Sequence, residues 1–360
     1  MEKFSKWRDP STGIQPFLPL ASPSSPLKLL LSPLSLLVGV ARAVLLLALL
    51  LLYLLLGKLP LISNPITYLC ARASLAVLGW YRIPTETTSA KKKKGAAYAP
   101  PPPGRGDVII TNWTGWADVL VLLYQHNPVF LLPVFASSPA RDDSFGRASG
   151  TGSANILASS SSAQVPCAGY IVVSPLSLMA RAGALPPLLA DVDADKVYHT
   201  LAAARRAIAR PLVLYPEGTT SNGRAVLRFG DGVLAEDFSP GGVTWIKFVR
   251  HAPPSALLPA ATCPLPRAGA HFRSVLFTLP LPRSAVVRTL HPSNSPSAPT
   301  FMPSEVLAAQ PGGLGAVKAG TEWRDACAIV LAETGRVRRV PGMGWVEKAS
   351  FLDYYARSRR

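Results

Sequence analysis

The chain has 360 residues and carries 37 Lys and Arg against 20 Asp and Glu, a formal charge of +17. Its mean hydropathy is nevertheless positive, at +0.26. Nucleic-acid-binding proteins are usually basic and hydrophilic, so this combination argues against a nucleic-acid partner. It favours a protein that lies on a membrane surface rich in anionic lipid, where each basic residue near the headgroups contributes about 1 kcal/mol of attraction.

Four cysteines are spread along the chain, with no Cys-x-x-Cys pair and no histidine at metal-ligand spacing from them. Small buried thiols in a reducing compartment are the simplest interpretation. The sequence therefore predicts no metal site and no disulfide framework.

The first element predicted along the chain is a membrane anchor. Residues 29–57 hold a single charge, Arg42, and positions 43–57 are nearly all Leu, Val and Ala. These uncharged residues rise only about 22 Å as a helix, whereas the hydrocarbon core of a bilayer is about 30 Å thick. A full span must therefore start near Leu34 and bury Arg42, a cost that a bent, half-inserted hairpin avoids.

A second helical pattern follows this anchor. Over residues 66–80 the apolar side chains recur at helical spacing, which is typical of an interfacial helix and equally of a buried helix in the folded domain. We expect a tail over residues 1–28, and the anchor together with this helix over 29–82.

Three stretches without apolar periodicity set the remaining boundaries. Lys and Pro runs over 83–106 predict a flexible loop, and the Ser-, Ala- and Gly-rich stretch 137–164 predicts a surface insertion. The segment PSNSPSAP closes the main domain, which is expected over 107–291. Residues 292–360 then form a linker and a basic, helical C-terminal region.

Apolar runs alternate with helical patterns inside the main domain. Strands are predicted at 108–111, 129–134, 212–215, 255–260, 275–279 and 286–290. Helices are predicted at 116–125, 175–184, 195–209 and 320–333. Such alternation predicts an α/β sandwich with a partly parallel sheet.

Two segments that follow predicted strands carry unusual polar residues. They are TNWTGWADVLVL at 111–122 and LYPEGTTSNGRAVLRFGDG at 214–232. In the second, a proline and glycines shape a turn whose backbone N–H groups can face an anion, beside several hydroxyl groups and Arg224. Because α/β sheets place their active sites at strand ends, both segments are candidates for one site.

The second segment contains the most specific pattern in the chain. The run YPEGTTSNG at 215–223 resembles the third motif of the lysophosphatidic acid acyltransferase family, and RAVLRFGDGVL continues that family's pattern. The resemblance implies a glycerolipid acyltransferase-type α/β sandwich with an N-terminal anchoring helix or hairpin. It also implies a site for the acceptor's phosphate, formed by Glu217, Gly218, Thr219, Ser221, Asn222, Gly223 and Arg224.

Other parts of the chain match the family more loosely. Residues 258–260, with Pro259, resemble its short fourth motif, and residues 174–186, with Arg181, are the best candidate for its second motif. The N-terminal run MEKFSKWRDPSTGIQPFLP and the basic C-terminus are similar to those of the fungal lysophosphatidic acid:oleoyl-CoA acyltransferases. We therefore add Arg181 and Pro259 to the expected substrate-binding residues.

The first motif departs from the family pattern, which is Asn-His, four residues and Asp. Asn112 and Asp118 fit this spacing, but Trp113 stands at the histidine position. In the family the histidine takes the proton of the acceptor hydroxyl and the aspartate orients it. An indole nitrogen is only a donor and cannot take that proton. His126 lies eight residues beyond Asp118, about 12 Å along a helix, and is too distant to replace it.

Three explanations for this substitution stay open at the level of sequence. Asp118 could act as the base if burial raises its pKa; a histidine from another segment could fill the gap; or the chain could have lost its chemistry and kept the binding of anionic lipid, as a regulator of lipid metabolism or membrane traffic. We take Asn112, Trp113 and Asp118 as the candidate catalytic residues.

The resemblance implies an activity and a cellular location. The expected reaction moves a fatty acyl group from acyl-CoA, used as co-substrate and without a further cofactor, to a lysophospholipid such as lysophosphatidic acid. The expected location is the endoplasmic reticulum membrane or lipid droplets. Since the residues after the anchor are rich in Lys and Arg, we expect the catalytic domain on the cytosolic side.

Overall fold

The computed structural model describes residues 4–57, 59, 62–88, 101–139, 165–235, 242–310 and 320–358. Most of the predicted Lys- and Pro-rich loop and most of the predicted insertion lie outside these residues. The helices are α1 (Pro26–Leu30), α2 (Ser32–Leu56), α3 (Ser63–Val77), α4 (Trp116–His126), α5 (Pro175–Ala180), α6 (Leu201–Ala207), α7 (Ala268–Leu276), α8 (Pro303–Ala308), α9 (Glu322–Gly335) and α10 (Trp345–Arg357). The strands are β1 (Thr85–Thr88), β2 (Val108–Thr111), β3 (Val129–Phe135), β4 (Cys167–Val173), β5 (Val197–Tyr198), β6 (Leu212–Leu214), β7 (Ala225–Leu227), β8 (Thr244–His251), β9 (Ala285–Leu290) and β10 (Arg338–Val340).

The fold is mixed α/β, built on a mostly parallel sheet. Eight strands of the described chain lie in the order β1-β9-β8-β2-β6-β3-β4-β5. Its four central strands, β8, β2, β6 and β3, are all parallel to their neighbours within this group. Their carboxyl ends therefore lie along one edge of the sheet. Strands β7 and β10 form a separate parallel pair.

Helices cover both faces of the sheet, because its central strands are apolar on both sides. The first face carries Ile109, Val213 and Val249, which pack with α3, α4 and α7. The second carries Ile110 and Phe248, which pack with α6 and α9. Helix α9 is buried over most of its length, as expected for a helix in the interior of a layered domain.

The predicted membrane anchor is one continuous helix. Helix α2 has 25 residues and is the one helix of the described chain that is long and apolar enough to cross a bilayer; an 18-residue stretch within it has a mean hydropathy of 2.6. It begins at Ser32, includes Arg42 and is helical without interruption to Leu56. Helix α3 packs between α2 and α4, so the pattern over 66–80 belongs to a helix that contacts both the anchor and the domain.

The single charge of the anchor contacts the folded domain. Arg42 is buried, and its guanidinium donates to the carbonyl oxygens of Leu276, at 3.3 Å, and Thr278, at 2.8 Å. These carbonyls lie at the C-terminal end of α7, where helical carbonyl groups lack intrahelical partners. These hydrogen bonds compensate the guanidinium group, whose burial in lipid without partners would be costly. They also hold α2 against the domain.

Two predicted strands are wrong, and six strands of the described chain were not predicted, namely β1, β4, β5, β7, β8 and β10. Residues 255–260 form a loop, and the apolar run at 275–279 begins as the last turn of α7. Short apolar runs of this kind do not distinguish a helix from a strand. Strands β4 and β8 were missed, the latter because Lys247 interrupts its apolar run. Lys247 is nevertheless buried, and the same burial lowers the pKa of its ammonium group to about 8.

The two ends of the chain pack together against the domain. Trp7 and Phe17 contact Phe351 of α10, in a small core that also contains Leu227 of β7. The region after 291 supplies α9 to the second face of the sheet. The boundaries drawn at 28 and 292 from composition therefore do not separate independent packing units. They were drawn there because local patterns do not reveal the aromatic contacts between the two ends.

Candidate functional site

Three polar segments meet at the carboxyl edge of the central strands. Asn112 directly follows β2, Tyr215 follows β6 and His251 ends β8. Since β2 lies between β6 and β8, these segments are neighbours in space. The sequence placed the first two at strand ends, and the structure adds the third.

Asp118 and His251 form a buried pair at the centre of this edge. The Nε2 atom of His251 lies 2.6 Å from Oδ1 of Asp118, and their side chains are 1% and 0% exposed. An ionised carboxylate only accepts hydrogen bonds, so Nε2 is the donor to Asp118, and Nδ1 has a lone pair in the tautomer that this contact selects. Nδ1 has no hydrogen-bond partner among the described residues. A buried polar atom without a partner requires a specific explanation.

The second carboxylate oxygen of Asp118 holds the turn before α4. Oδ2 accepts from the backbone N–H groups of Thr114, at 2.6 Å, and Gly115, at 3.1 Å, and from the Thr114 hydroxyl, at 2.8 Å. Asp118 therefore caps the N-terminus of α4 and orients His251 at the same time. The rigid turn fixes the carboxylate, which in turn fixes the imidazole ring.

Asn112 extends the pairing of β2 with β8 through its side chain. Its amide nitrogen donates to the carbonyl of Val249 at 3.0 Å, and its amide oxygen accepts from the Val249 N–H at 2.8 Å. Val249 lies two residues before His251 on the same strand. Asn112 thus positions the histidine through the backbone of β8 and is held within the sheet edge.

Trp113 lies beneath the site and away from its open side. The indole is 1% exposed, stacks on Tyr215 with a centroid distance of 5.1 Å, and donates from Nε1 to the carbonyl of Gly115. The expectation that Trp113 lies beside an acceptor hydroxyl does not agree with this position. The reason is packing, because the large apolar ring fills the core between α4 and the sheet. Of the three explanations for the missing motif histidine, the geometry favours a histidine from another segment.

The YPEGTTSNG loop is held from below by the C-terminal helix. Gly218 and Gly223 have φ values of 68° and 74°, a region that favours glycine, and they give the loop its two sharp bends. The ammonium group of Lys348, from α10, donates to Oγ1 of Thr219 at 2.8 Å and to the carbonyl of Thr220 at 2.7 Å. Lys348 is fully buried, and burial lowers its pKa to about 7.

Two further loop residues make hydrogen bonds that connect the loop to its surroundings. The Asn222 side chain donates to the carbonyls of Gln15 and Leu18, which ties the N-terminal segment to the loop. The Ser221 N–H donates to the carbonyl of Trp113, and its hydroxyl accepts from the N–H of Gly223. The N-terminal segment therefore forms part of the wall of the site.

Glu217 is located in the interior, which differs from its expected contact with phosphate. It is 0% exposed, and Oε1 accepts from the N–H of Leu227 at 3.1 Å. Oε2 has no partner among the described residues. Burial raises the pKa of this carboxyl to about 8, against the opposing effects of the Leu227 N–H and of Lys348. Glu217, like Thr219, supports the loop from inside.

This burial predicts a pH-dependent stability. The unfolded chain ionises Glu217 above a pKa of 4.5, whereas the folded protein keeps it protonated until about pH 8, so the free energy of unfolding falls as pH rises through this window. Glu217→Gln removes the titration. Between pH 5 and pH 7 the stability of the variant relative to wild type should rise by about 1 kcal/mol per pH unit, while Lys348, with its pKa of about 7, titrates in both proteins at the upper end of this range.

Thermal unfolding in detergent at pH 5, 6 and 7 measures this difference. Glu305→Gln is the matched control, since Glu305 is exposed, and its difference from wild type should stay constant. A constant difference for Glu217→Gln as well would show that the carboxyl is ionised in the folded protein.

A cleft of about 540 Å³ lies next to the buried Asp118–His251 pair, with His251 in its lining. Among the residues that line it are Thr114, Asn222, Gly223, Arg224, His251 and Thr262. Arg224 is exposed and has no ion pair within the described ranges. The cleft therefore combines a histidine held by a carboxylate with a free cation, a suitable arrangement for a substrate that carries both a hydroxyl and an anionic group.

An apolar groove of about 390 Å³ lies on the anchor side of the same turn. Its walls include Leu46 and Leu50 of α2, Leu120 of α4, Met179 of α5 and Phe272 of α7. Thr114 borders the cleft and Trp116 borders the groove, so two positions of one turn separate the two cavities.

Two expected binding residues lie outside the cleft. Arg181 is exposed at the C-terminal end of α5, on the anchor-side layer. The carbonyl of Pro259 accepts from the guanidinium of Arg283 at 3.1 Å, next to Ala260, which lines the cleft. The structure thus brings together Asn112, Asp118 and Arg224 with His251, and separates Arg181 from them.

Sequence reasoning missed His251 and Lys348. His251 ends a strand that was not predicted, and the signal was the apolar alternation in TWIKFVRH followed by prolines. Lys348 has no comparable signal, because a lysine in an amphipathic helix usually faces solvent. Comparison of the chain with protein-family models, with curated proteins and with solved structures finds no match in any of the three.

Proposed function

We propose that the protein is a membrane-bound O-acyltransferase that transfers a fatty acyl group from acyl-CoA to lysophosphatidic acid or a closely related lysophospholipid. The observation that carries the proposal is the buried Asp118–His251 pair at the base of a cleft beside the YPEGTTSNG loop. An imidazole held by a carboxylate is a general base suited to a hydroxyl nucleophile. No metal or further cofactor is part of the proposed reaction.

In the proposed reaction Nδ1 of His251 takes the proton of the acceptor hydroxyl. The oxygen attacks the thioester carbonyl, a carbon–oxygen bond forms, and the carbon–sulfur bond breaks. The leaving thiolate receives the proton back from the imidazolium. Asp118 stabilises the positive charge that the ring carries between these two proton transfers. One histidine is sufficient, because it acts first as the base and then as the acid.

The two cavities match the two ends of such substrates. The apolar groove beside the anchor suits a fatty acyl chain, since its walls are aliphatic and aromatic side chains. The cleft suits the acceptor, whose phosphate would contact the exposed Arg224. Positioning both reactants at the Thr114–Trp116 turn can supply on the order of 7 kcal/mol or more of the barrier reduction.

The proposal also covers the fold, the membrane attachment and the cellular location of the enzyme. The fold would be the α/β sandwich of the glycerolipid acyltransferases, anchored by α2 in the membrane of the endoplasmic reticulum or of lipid droplets. The basic surface would contact anionic lipid, and the domain would lie on the cytosolic side, where acyl-CoA is made. The apolar helix Ser32–Leu56 supports the anchoring part of this proposal.

The test is an assay of the purified full-length protein in detergent with lysophosphatidic acid and labelled acyl-CoA. We expect labelled phosphatidic acid that depends on both substrates. Arg224→Ala should raise the KM for lysophosphatidic acid by about tenfold and leave that for acyl-CoA nearly unchanged, because a charge-assisted contact to the acceptor is lost.

Arg206→Ala is the matched control, since Arg206 is exposed on α6 and does not line the cleft. It should leave both KM values unchanged. A wild-type protein that forms no product but binds vesicles of phosphatidic acid would overturn the proposal in favour of a catalytically inactive lipid-binding protein.

A further inference from the structure

The cleft over His251 carries more positive charge than one phosphate requires. Besides Arg224, it is lined by Arg250, Arg336 and Arg338. All four are exposed, and none has an ion pair within the part of the chain that the structure describes. Four guanidinium groups around one cleft repel each other unless an anion lies between them.

Three of these arginines lie on the same side of the cleft. Successive residues of a strand point to opposite faces of the sheet. Val249 packs on the anchor-side face and Phe248 on the face covered by α9. Arg250 therefore points to the α9 face, where Arg336 ends α9 and Arg338 begins β10. Arg338 is paired with Ala225, so it also lies next to Arg224 across the β7–β10 ladder.

The backbone at Arg336 is unusual for an arginine. Arg336 caps α9 in the left-handed conformation, with φ 50° and ψ 48°. Glycine or asparagine usually occupies such a position, since a larger side chain is strained there. Residues held in this region are concentrated at ligand-binding sites. The arginine at this cap places a cation at the cleft, although its backbone conformation is less favourable for arginine than for glycine.

We propose that Arg250, Arg336 and Arg338 form a subsite for the phosphate groups of the acyl donor. This inference rests on the proposed function and assigns neighbouring arginines of one cleft to different substrates. Arg224 would contact the lipid acceptor, and the three arginines would contact the nucleotide diphosphate and ribose phosphate of CoA.

The position of the subsite suits a donor that reaches both the apolar groove and the cleft. The anchor helix and the apolar groove lie on the first face of the sheet, with α3, α4 and α7. The three arginines lie on the opposite, α9 side. An acyl-CoA molecule has an apolar chain at one end and several phosphates at the other, so it can extend from the groove, past His251, to the arginines.

The experiment compares two acyl donors with the same thioester. Acyl-CoA carries the phosphates, and acyl-pantetheine lacks them. The variant is Arg336→Gly with Arg338→Ala, because glycine is favoured at the left-handed cap and the fold should be as stable as wild type or more so. We expect kcat/KM for acyl-CoA to fall about tenfold or more, with kcat/KM for acyl-pantetheine and the KM for lysophosphatidic acid unchanged.

The control is Arg206→Ala with Arg357→Ala, which removes the same charge at two exposed positions outside the cleft. It should leave both donors unaffected. Equal losses with acyl-CoA and acyl-pantetheine, or a rise confined to the KM for lysophosphatidic acid, would overturn the subsite.

Titration calorimetry of CoA with the same full-length proteins gives a readout that needs no turnover. We expect the arginine variant to bind CoA about tenfold more weakly than the wild type and the control. Arginine-dependent CoA binding without product would overturn the proposed reaction and retain the subsite. Product formation with CoA affinity unchanged in the variant would retain the reaction and overturn the subsite.

Discussion

Replacing His251 with glutamine should lower kcat by a factor of about 10² to 10⁴ while the protein stays folded. Positioned general bases contribute rate factors of this size. Glutamine is the informative substitute because its amide nitrogen lies about where Nε2 of the histidine lies. It can still donate to Oδ1 of Asp118 but has no nitrogen that can accept the hydroxyl proton. Turnover of lysophosphatidic acid with labelled acyl-CoA measures the loss.

The matched control for this prediction is His199→Gln, since His199 is exposed and lies on a different segment. It should retain wild-type turnover. Asp118→Asn should also reduce turnover, because the amide no longer stabilises an imidazolium. Near wild-type turnover in a well-folded His251→Gln protein would show that another group takes the proton, and Asp118 would then be the remaining candidate at the site.

Replacing Trp113 with histidine should destabilise the protein instead of restoring a base. The substitution puts the family's usual residue into its usual sequence position, but that position is 1% exposed and packed on Tyr215. A smaller polar ring leaves a cavity and buries nitrogens without partners. We expect a loss of about 2–4 kcal/mol in the free energy of unfolding, visible as a melting temperature lower by roughly 5–10 °C in detergent.

The control for this second prediction is Trp323→His. Trp323 is only half-buried, against Phe301, so the same chemical change should lower the melting temperature much less. A Trp113→His protein with an unchanged melting temperature and increased turnover would contradict the structure-based position. It would favour the interpretation made from the motif alone, in which residue 113 lies beside the acceptor hydroxyl.

Asn112, Asp118 and Trp113 show how much a sequence motif determines about side-chain position. Asn112 and Asp118 keep the family spacing, and the structure places both at the edge of the sheet where the motif predicts them. Trp113 keeps only the position in the sequence. Its side chain belongs to the core, because a large apolar ring gains more from burial than from contact with a polar cleft.

Local patterns determined the layered α/β architecture and most of its central strands. The predicted strands at 108–111, 129–134 and 212–215 are confirmed within one residue, because each is a short, fully apolar run that is buried on both faces. The same patterns placed the two polar motifs directly after strands, and parallel pairing then brings those ends to one edge. The long apolar run that forms α2 was equally evident.

The tertiary structure alone decided which residues complete the site. His251 is separated from Asp118 by 133 positions in the chain, and Lys348 from Thr219 by 129. Nothing in the spacing of five histidines indicates which one approaches a given carboxylate, since that depends on the order of strands in the sheet. Similarly, the burial of Glu217 and the contact of Arg42 with α7 follow from how the layers pack. The sequence alone thus determined where a site would form, while the order of strands and the packing of the chain ends decided which side chains it contains.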